Sequence, residues 1–218
     1  SALGVSGVDS AAKLGLVNAA LDGQSGAALD SVAKVQSVAN AAATVLAAPA
    51  GGDAPTLADL KALGLTNVST DNLAAVQAVI AAADGAQVVS LSGLQGLVSQ
   101  AVVTAKASFD AIKAYGSQGS SASVPTVQDY ANLGIETQDA QSLNQWLASV
   151  GAAGKNTIAK VQSLGDAYAT LQTVANGVAG DGASLSLAQL SALGVTGLSD
   201  ASAALVSTVL DDKSAAAV

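Results

Sequence analysis

The stretch Thr56–Gly85, TLADLKALGLTNVSTDNLAAVQAVIAAADG, sets how the rest of the chain is read. It opens as a helix start. Thr56 can cap with its hydroxyl, and Asp59, three residues on, can reach back in a capping box. Leu57, Leu60 and Leu63 then mark one face of a helix two turns long. Gly64 stops that helix, because glycine takes the left-handed conformation cheaply. Leu65 follows where a Schellman ending places its hydrophobic contact. Ser69 is the next cap candidate, and a second helix runs on through NLAAVQAVIAAA. The stretch predicts a tight helix–turn–helix corner, whose residues are accounted for by backbone geometry without a ligand.

The same phrase occurs four times: LGVSGVD from Leu3, LGLTNVS from Leu63, LGIETQD from Leu133 and LGVTGLS from Leu193. The spacing is roughly 60 to 70 residues, within reach of helical repeat units. Three copies share a lead-in: PTLADLKA, PTVQDYAN and LSLAQLSA. Thr126 with Asp129, and Ser186 with Gln189, repeat the Thr56–Asp59 box. Gly4, Gly134 and Gly194 repeat the stop, and Val5, Ile135 and Val195 repeat the contact residue. Asp9, Ser69, Asp139 and Ser199 are the expected caps of the second helix in each copy. On this reading Gly64→Val disrupts the corner, since a β-branched residue is poor at positive φ.

A longer third helix is expected after each complete corner. Leu91, Leu94, Val98, Val102, Ala105, Phe109 and Ile112 step by threes and fours down one stripe. Ile158, Val161, Leu164, Tyr168, Leu171, Val174 and Val178 do the same. VAKVQSVANAAATV from Val32 also matches IAKVQSLGDAYATL from Ile158, so the duplication extends beyond the corner. The connectors APAGGDAP, GSQGSSASVP and AGDGASLS lie between units, and the first two hold all three prolines, Pro49, Pro55 and Pro125. Loop residues at unit boundaries fit a modular chain. No sustained alternation marks a strand. The expected fold is all-α: a tandem helical-repeat array with about three helices per 60–70-residue unit. The expected boundaries are 1–50 for an incomplete first repeat, 51–120 and 121–182 for complete ones, and 183–218 for an incomplete fourth.

Composition removes several functional classes. The chain has 218 residues, a formal net charge of -8, and no His, Cys or Met. All its cations are Lys, so it lacks the basic surface that nucleic-acid binding needs. Cys–His zinc sites and Ser–His–Asp catalysis lack their residues. The expectation is no catalytic residue, no cofactor and no metal. Only paired Asp carboxylates with a shifted pKa would revive an enzyme reading. Absence of Cys and Met fits a protein exposed to oxidants. From Ser1 onward there is neither a basic start nor an apolar core with a cleavage site. The uncharged run Ala86–Ala105 is long enough to span a bilayer. Gln87, Ser90, Gln95 and Gln100 make a buried helix the better reading, so no transmembrane segment is expected.

Other candidates have plainer explanations. Asp22-Gly23, Asp84-Gly85 and Asp181-Gly182 lack EF-hand spacing and read as turns rather than calcium loops. Asp211-Asp212 reads as a solvated pair. Trp146 and Tyr168 fall on helical stripes and read as core. Asn67-Val68-Ser69 matches a glycosylation sequon inside the corner turn.

The segment LADLKALGLTNVSTDNLAAVQAVIAAA resembles the Ala-rich helical repeats of giant repetitive bacterial surface and secreted proteins, which are adhesin-like. Phrases of the type ALG-V-TGV-T…NLAAVNAAI recur in those proteins. The match is best over Leu57–Ala83, and good over Leu187–Leu210 and Leu3–Leu21. It weakens over Val127–Val150, where Glu136, Gln138 and Trp146 depart from the pattern. The resemblance implies an extracellular, cell-surface location and a structural or adhesive role, with no catalytic residues to carry over.

Half the residues are hydrophobic, mean hydropathy is +0.48, and few residues are charged. Ala-rich helices bury little area each, so stability must come from stacking many of them. So much apolar surface is expected to face a neighbouring repeat or chain. The reading is a structural stalk or self-assembling filament subunit whose partners are further copies or neighbouring repeats. Leu91, Leu94, Val98, Val102, Phe109, Ile112, Ile158, Val161, Leu164, Tyr168 and Leu171 form the expected inter-helix seam. A monomeric adhesin module, with a helical groove for a small apolar ligand or a host surface, is the competing expectation.

Overall fold

The lead-in segments fold as their sequences dictate. In the computed structural model, the Thr56 hydroxyl accepts the Asp59 backbone N–H at 3.1 Å, and the Asp59 carboxylate accepts the Thr56 backbone N–H at 2.9 Å. The same reciprocal box forms at Thr126–Asp129 and Ser186–Gln189. Each satisfies backbone donors that a helix start leaves unpaired, and a cap is worth about 1 kcal/mol.

Residues 4–26, 29–115, 123–175, 178 and 182–213 are described. Among them there are twelve α-helices and no strand. They are α1 (Ala11–Asp22), α2 (Val32–Ala47), α3 (Leu57–Ala62), α4 (Leu73–Ala81), α5 (Gly85–Val88), α6 (Leu91–Ala114), α7 (Val127–Ala131), α8 (Ala140–Ser149), α9 (Gly151–Gly154), α10 (Ile158–Val174), α11 (Leu187–Ala192) and α12 (Asp200–Asp211). A 3-10 turn, Ala48–Ala50, ends α2 at Pro49. No described helix is long and apolar enough to cross a membrane.

Tertiary contacts divide the chain into two compact units, Ser1–Lys106 and Ala107–Val218, so α6 contributes to both. In the first unit α2 packs against α1, α3 and α5, and α4 packs on the 3-10 turn. Leu16, Val38, Val45, Leu60, Val76 and Ile80 are enclosed at its centre. In the second unit α10 is the hub, touching α8, α11 and α12. Tyr130, Leu133, Leu147, Leu164, Val174 and Leu190 fill its interior. Each fully buried Leu or Val contributes about 1.5–3 kcal/mol.

Several details differ from the sequence-based expectation. Asp9 does not cap α1. Ser10 does, its side chain accepting the Lys13 N–H, while Asp9 pairs with Lys13 at 2.8 Å. Ser69 does not start α4. Residues 70–72 form an extra turn, α4 begins after Asn72, and the Asn72 Oδ1 instead accepts the Ser69 N–H. Asp139 and Ser199 do cap α8 and α12. Asp84-Gly85 opens the one-turn α5, where the Asp84 carboxylate accepts the Ala86 N–H in a capping box with Gln87. Gly23 ends α1 with ordinary negative φ.

The α6 stripe also shifts. Leu94, Val98, Ala101, Ala105, Ser108 and Ile112 are buried, whereas Leu91, Val102 and Phe109 are half-buried. The buried set keeps the 3.6-residue period, with Ala101 and Ser108 taking the places expected of Val102 and Phe109. Val178 lies beyond α10 and is exposed. Trp146 is half-buried on α8. Leu3, most of GSQGSSASVP, and Asp181 lie outside the described residues.

Candidate functional site

The recurring site is the corner together with the long helix that docks on it. Gly64, Gly134 and Gly194 have φ of 81, 78 and 88°. At each, two backbone bonds close the Schellman ending. Gly64 N–H donates to the Lys61 carbonyl at 2.9 Å and Leu65 N–H to the Leu60 carbonyl at 3.0 Å. Gly134 and Ile135 donate to the Ala131 and Tyr130 carbonyls, and Gly194 and Val195 to the Ser191 and Leu190 carbonyls. Gly4 has φ of 74°, the same left-handed geometry. A Cβ on Gly64 would meet nothing within 4 Å, so its requirement there is conformational, not steric.

A glutamine on the long helix faces its own corner. On α2, Gln36 Oε1 accepts the Ser6 N–H at 2.8 Å, and its Nε2 donates to the Ser6 carbonyl at 3.1 Å. On α10, Gln162 donates to the Leu133 carbonyl at 2.7 Å. On α6, Gln95 lines a cavity of about 280 Å³ with Gly64, Leu65, Thr66 and Asn67. Gln36 and Gln162 hold the same place in VAKVQS and IAKVQS, and Gln95 stands fifth in LSGLQG. That recurrence was visible in the sequence but passes unnoticed when glutamine is read as surface. Three residues later comes Ala39, Val98 or Gly165, all buried. At Gly165 a Cβ would lie 2.5 Å from Ile135 Cγ2, so glycine is needed for the helix to approach the corner.

Polar clasps tie the second helix to the residue preceding each lead-in. Gln77 donates to the Pro55 carbonyl at 2.9 Å and Asn144 to the Pro125 carbonyl at 2.9 Å. The Ser207 hydroxyl accepts the Leu185 N–H at 2.8 Å. Such groups satisfy loop backbone that burial would otherwise leave unpaired. The third corner is the most polar. Tyr130 OH donates to Asn144 Oδ1, and the Ser108 hydroxyl donates to Asp129 Oδ1 at 2.9 Å while accepting from Asn132 at 3.0 Å.

Electrostatics follow from these contacts. Partial burial pushes Asp129 up, but the Thr126 backbone N–H and the Thr126 and Ser108 hydroxyls outweigh it and hold the carboxyl below its ordinary value. Asp139 is held down by hydrogen bonds from Ser142. Burial raises the Tyr130 and Tyr168 phenols. Tyr168 OH accepts from Gln172 at 2.9 Å. Lys155 is 1% exposed, its ammonium donates to the Tyr115 carbonyl, and burial pushes its pKa down. Exposed pairs such as Asp30–Lys34, at 2.9 Å, contribute about 0.3–0.5 kcal/mol.

Seam residues Leu94, Val98, Ile112, Val161, Leu164, Tyr168 and Leu171 are buried, and Ile158 is half-buried. Among the described residues there is no cluster of three metal-ligating side chains. A cavity of about 490 Å³ lies in the second unit, lined by residues of α8, α10 and α11. It gathers Lys160 and the hydroxyl residues Ser149, Ser163, Ser191 and Thr196 with small apolar residues. The Lys160 ammonium already donates to the Ala153 carbonyl at 2.8 Å. Comparison with family models, curated proteins and solved structures returned no match.

Proposed function

We propose that this chain is a non-catalytic structural protein: a tandem helical-repeat segment serving as a stalk or self-assembling filament subunit on a bacterial cell surface. The observation that carries the reading is the recurrence of one corner. The same capping box, left-handed glycine and pair of Schellman bonds form at Gly64, Gly134 and Gly194. A chain that rebuilds one non-reactive backbone device at regular spacing is organised for stacking. The repeating unit is a lead-in helix, a second helix and a long helix, with one-turn α5 and α9 as additions in the two complete copies. Successive units join where a long helix meets the next lead-in, as α2 meets α3 and α10 meets α11. The extracellular setting rests on the resemblance of Leu57–Ala83 to surface-protein repeats and on the absence of Cys and Met.

Electron microscopy and light scattering on one untagged sample test this. Long regular fibres built from 20.8 kDa protomers support a filament subunit. A uniform elongated monomer supports a stalk segment. A compact monomer that binds a small apolar ligand saturably, with a rise in melting temperature, overturns both. That outcome favours an adhesin or binding module, for which the 490 Å³ cavity is the supporting observation.

A further inference from the structure

The groove between α8, α10 and α11 has a counterpart in the first unit, between α1, α2 and α3, and the two are finished differently. Counting from the corner glycines, Val150 matches Ala20 and Ala192 matches Ala62. In the first unit the Gln24 amide spans that gap, donating to the Ala20 and Ala62 carbonyls at 2.9 Å each. In the second unit Val150 and Ala192 instead line the cavity of about 490 Å³. Among the described residues no side chain donates to the Ala192 carbonyl. The lysines differ as well. Lys34 and Lys160 hold one place in VAKVQS and IAKVQS. Lys34 pairs with Asp30 at 2.9 Å, one helical turn before it. Asn156 stands where Asp30 does, and Lys160 has no carboxylate partner among the described residues.

The Lys160 ammonium carries three donors and spends one, on the Ala153 carbonyl. No Asp or Glu lines the cavity, and the polar groups beside Lys160 are the hydroxyls of Ser149, Ser163, Ser191 and Thr196. In a chain of net charge -8 this is a cation left uncancelled at a carboxylate-free cavity. Spare ammonium donors favour a carboxylate as partner. The four hydroxyls donate or accept, and the Ala192 carbonyl accepts, so the rest of the ligand must supply hydroxyls. The lining holds no aromatic ring, so an aromatic acid finds no stacking partner. A volume of about 490 Å³ lies within the roughly 300–1,000 Å³ of small-molecule sites. We propose that this groove is a binding site for a small polyhydroxylated carboxylate, the class of the uronic acids. Lys160 holds the carboxylate, and the Ser and Thr hydroxyls with the Ala192 carbonyl hold the ligand's hydroxyls. The site does not rest on the stalk or filament reading, and both kinds of chain accommodate it.

The test is titration of the intact, isotope-labelled chain with glucuronate, glucose and acetate, followed by amide NMR shifts. Glucuronate should give saturable shifts confined to residues 149–154, 160–163 and 188–196. Glucose lacks the carboxylate and acetate lacks the hydroxyls, so each should bind about tenfold more weakly or worse, the scale of one lost charged contact. Lys160→Gln should weaken glucuronate to the level of glucose. Lys160 also holds Ala153, so the melting temperature checks that this variant stays folded. Asn156→Asp is a second test that keeps the lysine. It rebuilds the Asp30–Lys34 pair of the first unit, and should weaken glucuronate severalfold by occupying the ammonium and repelling the carboxylate. The proposal is overturned by an absence of saturable shifts, by shifts spread outside the groove, or by glucose or acetate binding as tightly as glucuronate. Glucuronate binding that either substitution leaves unchanged overturns it too.

Discussion

The second and third corners share a capping box, a left-handed glycine and a pair of Schellman bonds, and differ in what fills them. Leu60 and Tyr130 occupy the same register, four residues before Gly64 and Gly134, and both are fully buried. Around Leu60 the corner is closed by Leu63, Leu65 and Val68. Around Tyr130 it is closed partly by hydrogen bonds, with Asn144 held between the phenol and the Pro125 carbonyl. The capping box and Schellman bonds are the same in both. The corner is therefore specified by local backbone chemistry, and the interior accepts either an apolar or a polar filling provided every buried polar group is partnered.

The largest effect should come from the apolar version. Leu60→Ala leaves a cavity between α2 and α3 and should cost about 2–5 kcal/mol in denaturant unfolding. A cost under about 1 kcal/mol, too small for a buried Leu, would mean that the corner can collapse and that burial there is not what holds it. Tyr130→Phe is the matched test. It removes no ring but strips Asn144 Oδ1 of its donor, at about 1–3 kcal/mol. If Tyr130→Phe is neutral, the polar network is incidental and the two corners are equivalent after all.

Two glycines divide steric from conformational demand. Gly165→Ala forces a methyl into Ile135 and should cost about 1–3 kcal/mol through overpacking. Trimming Ile135 to Ala in the same chain should recover part of that loss, which thermal unfolding of the single and double variants would reveal. At Gly64 a Cβ meets nothing within 4 Å, so Gly64→Val should cost about 1–2 kcal/mol, chiefly from left-handed strain. Gly134→Val should carry a similar conformational cost, since φ there is 78° against 81° at Gly64. A large mismatch would show that the fillings feed back on the turn.

How much of this the sequence disclosed follows the same division. Thr56, Thr126 and Ser186 as caps, and the glycine stops, were legible because they depend on residues within five positions of each other. Helix class was legible from the periods of α6 and α10. The start of α4 was not, because Asn72 and Ser69 can both cap and only the packed turn chooses between them. Ser108 was missed because its hydroxyl serves Asp129 and Asn132, about twenty residues away. Gln36 and Gln162 sit in a matching phrase, yet their role depends on a corner 28 or more residues distant. Long-range polar pairing leaves no periodicity to read.

The smallest effect is electrostatic and peculiar to the third corner. Asp129 is held below its ordinary value of 3.8 despite partial burial, because Thr126 and Ser108 bond its ionised form. A carboxyl depressed in the folded state stabilises the protein above the unfolded pKa and loses that contribution as pH falls through the folded one. Part of the acid sensitivity of the second unit should therefore lie below pH 3.8. Ser108→Ala removes one of the bonds, so the Asp129 midpoint, read from its carboxyl resonance by NMR, should move up toward 3.8. The Thr126 box should persist and keep the shift partial. A wild-type midpoint already at 3.8 would mean that burial cancels the hydrogen bonds. Ionisation of Asp129 would then add nothing to the stability of the polar corner.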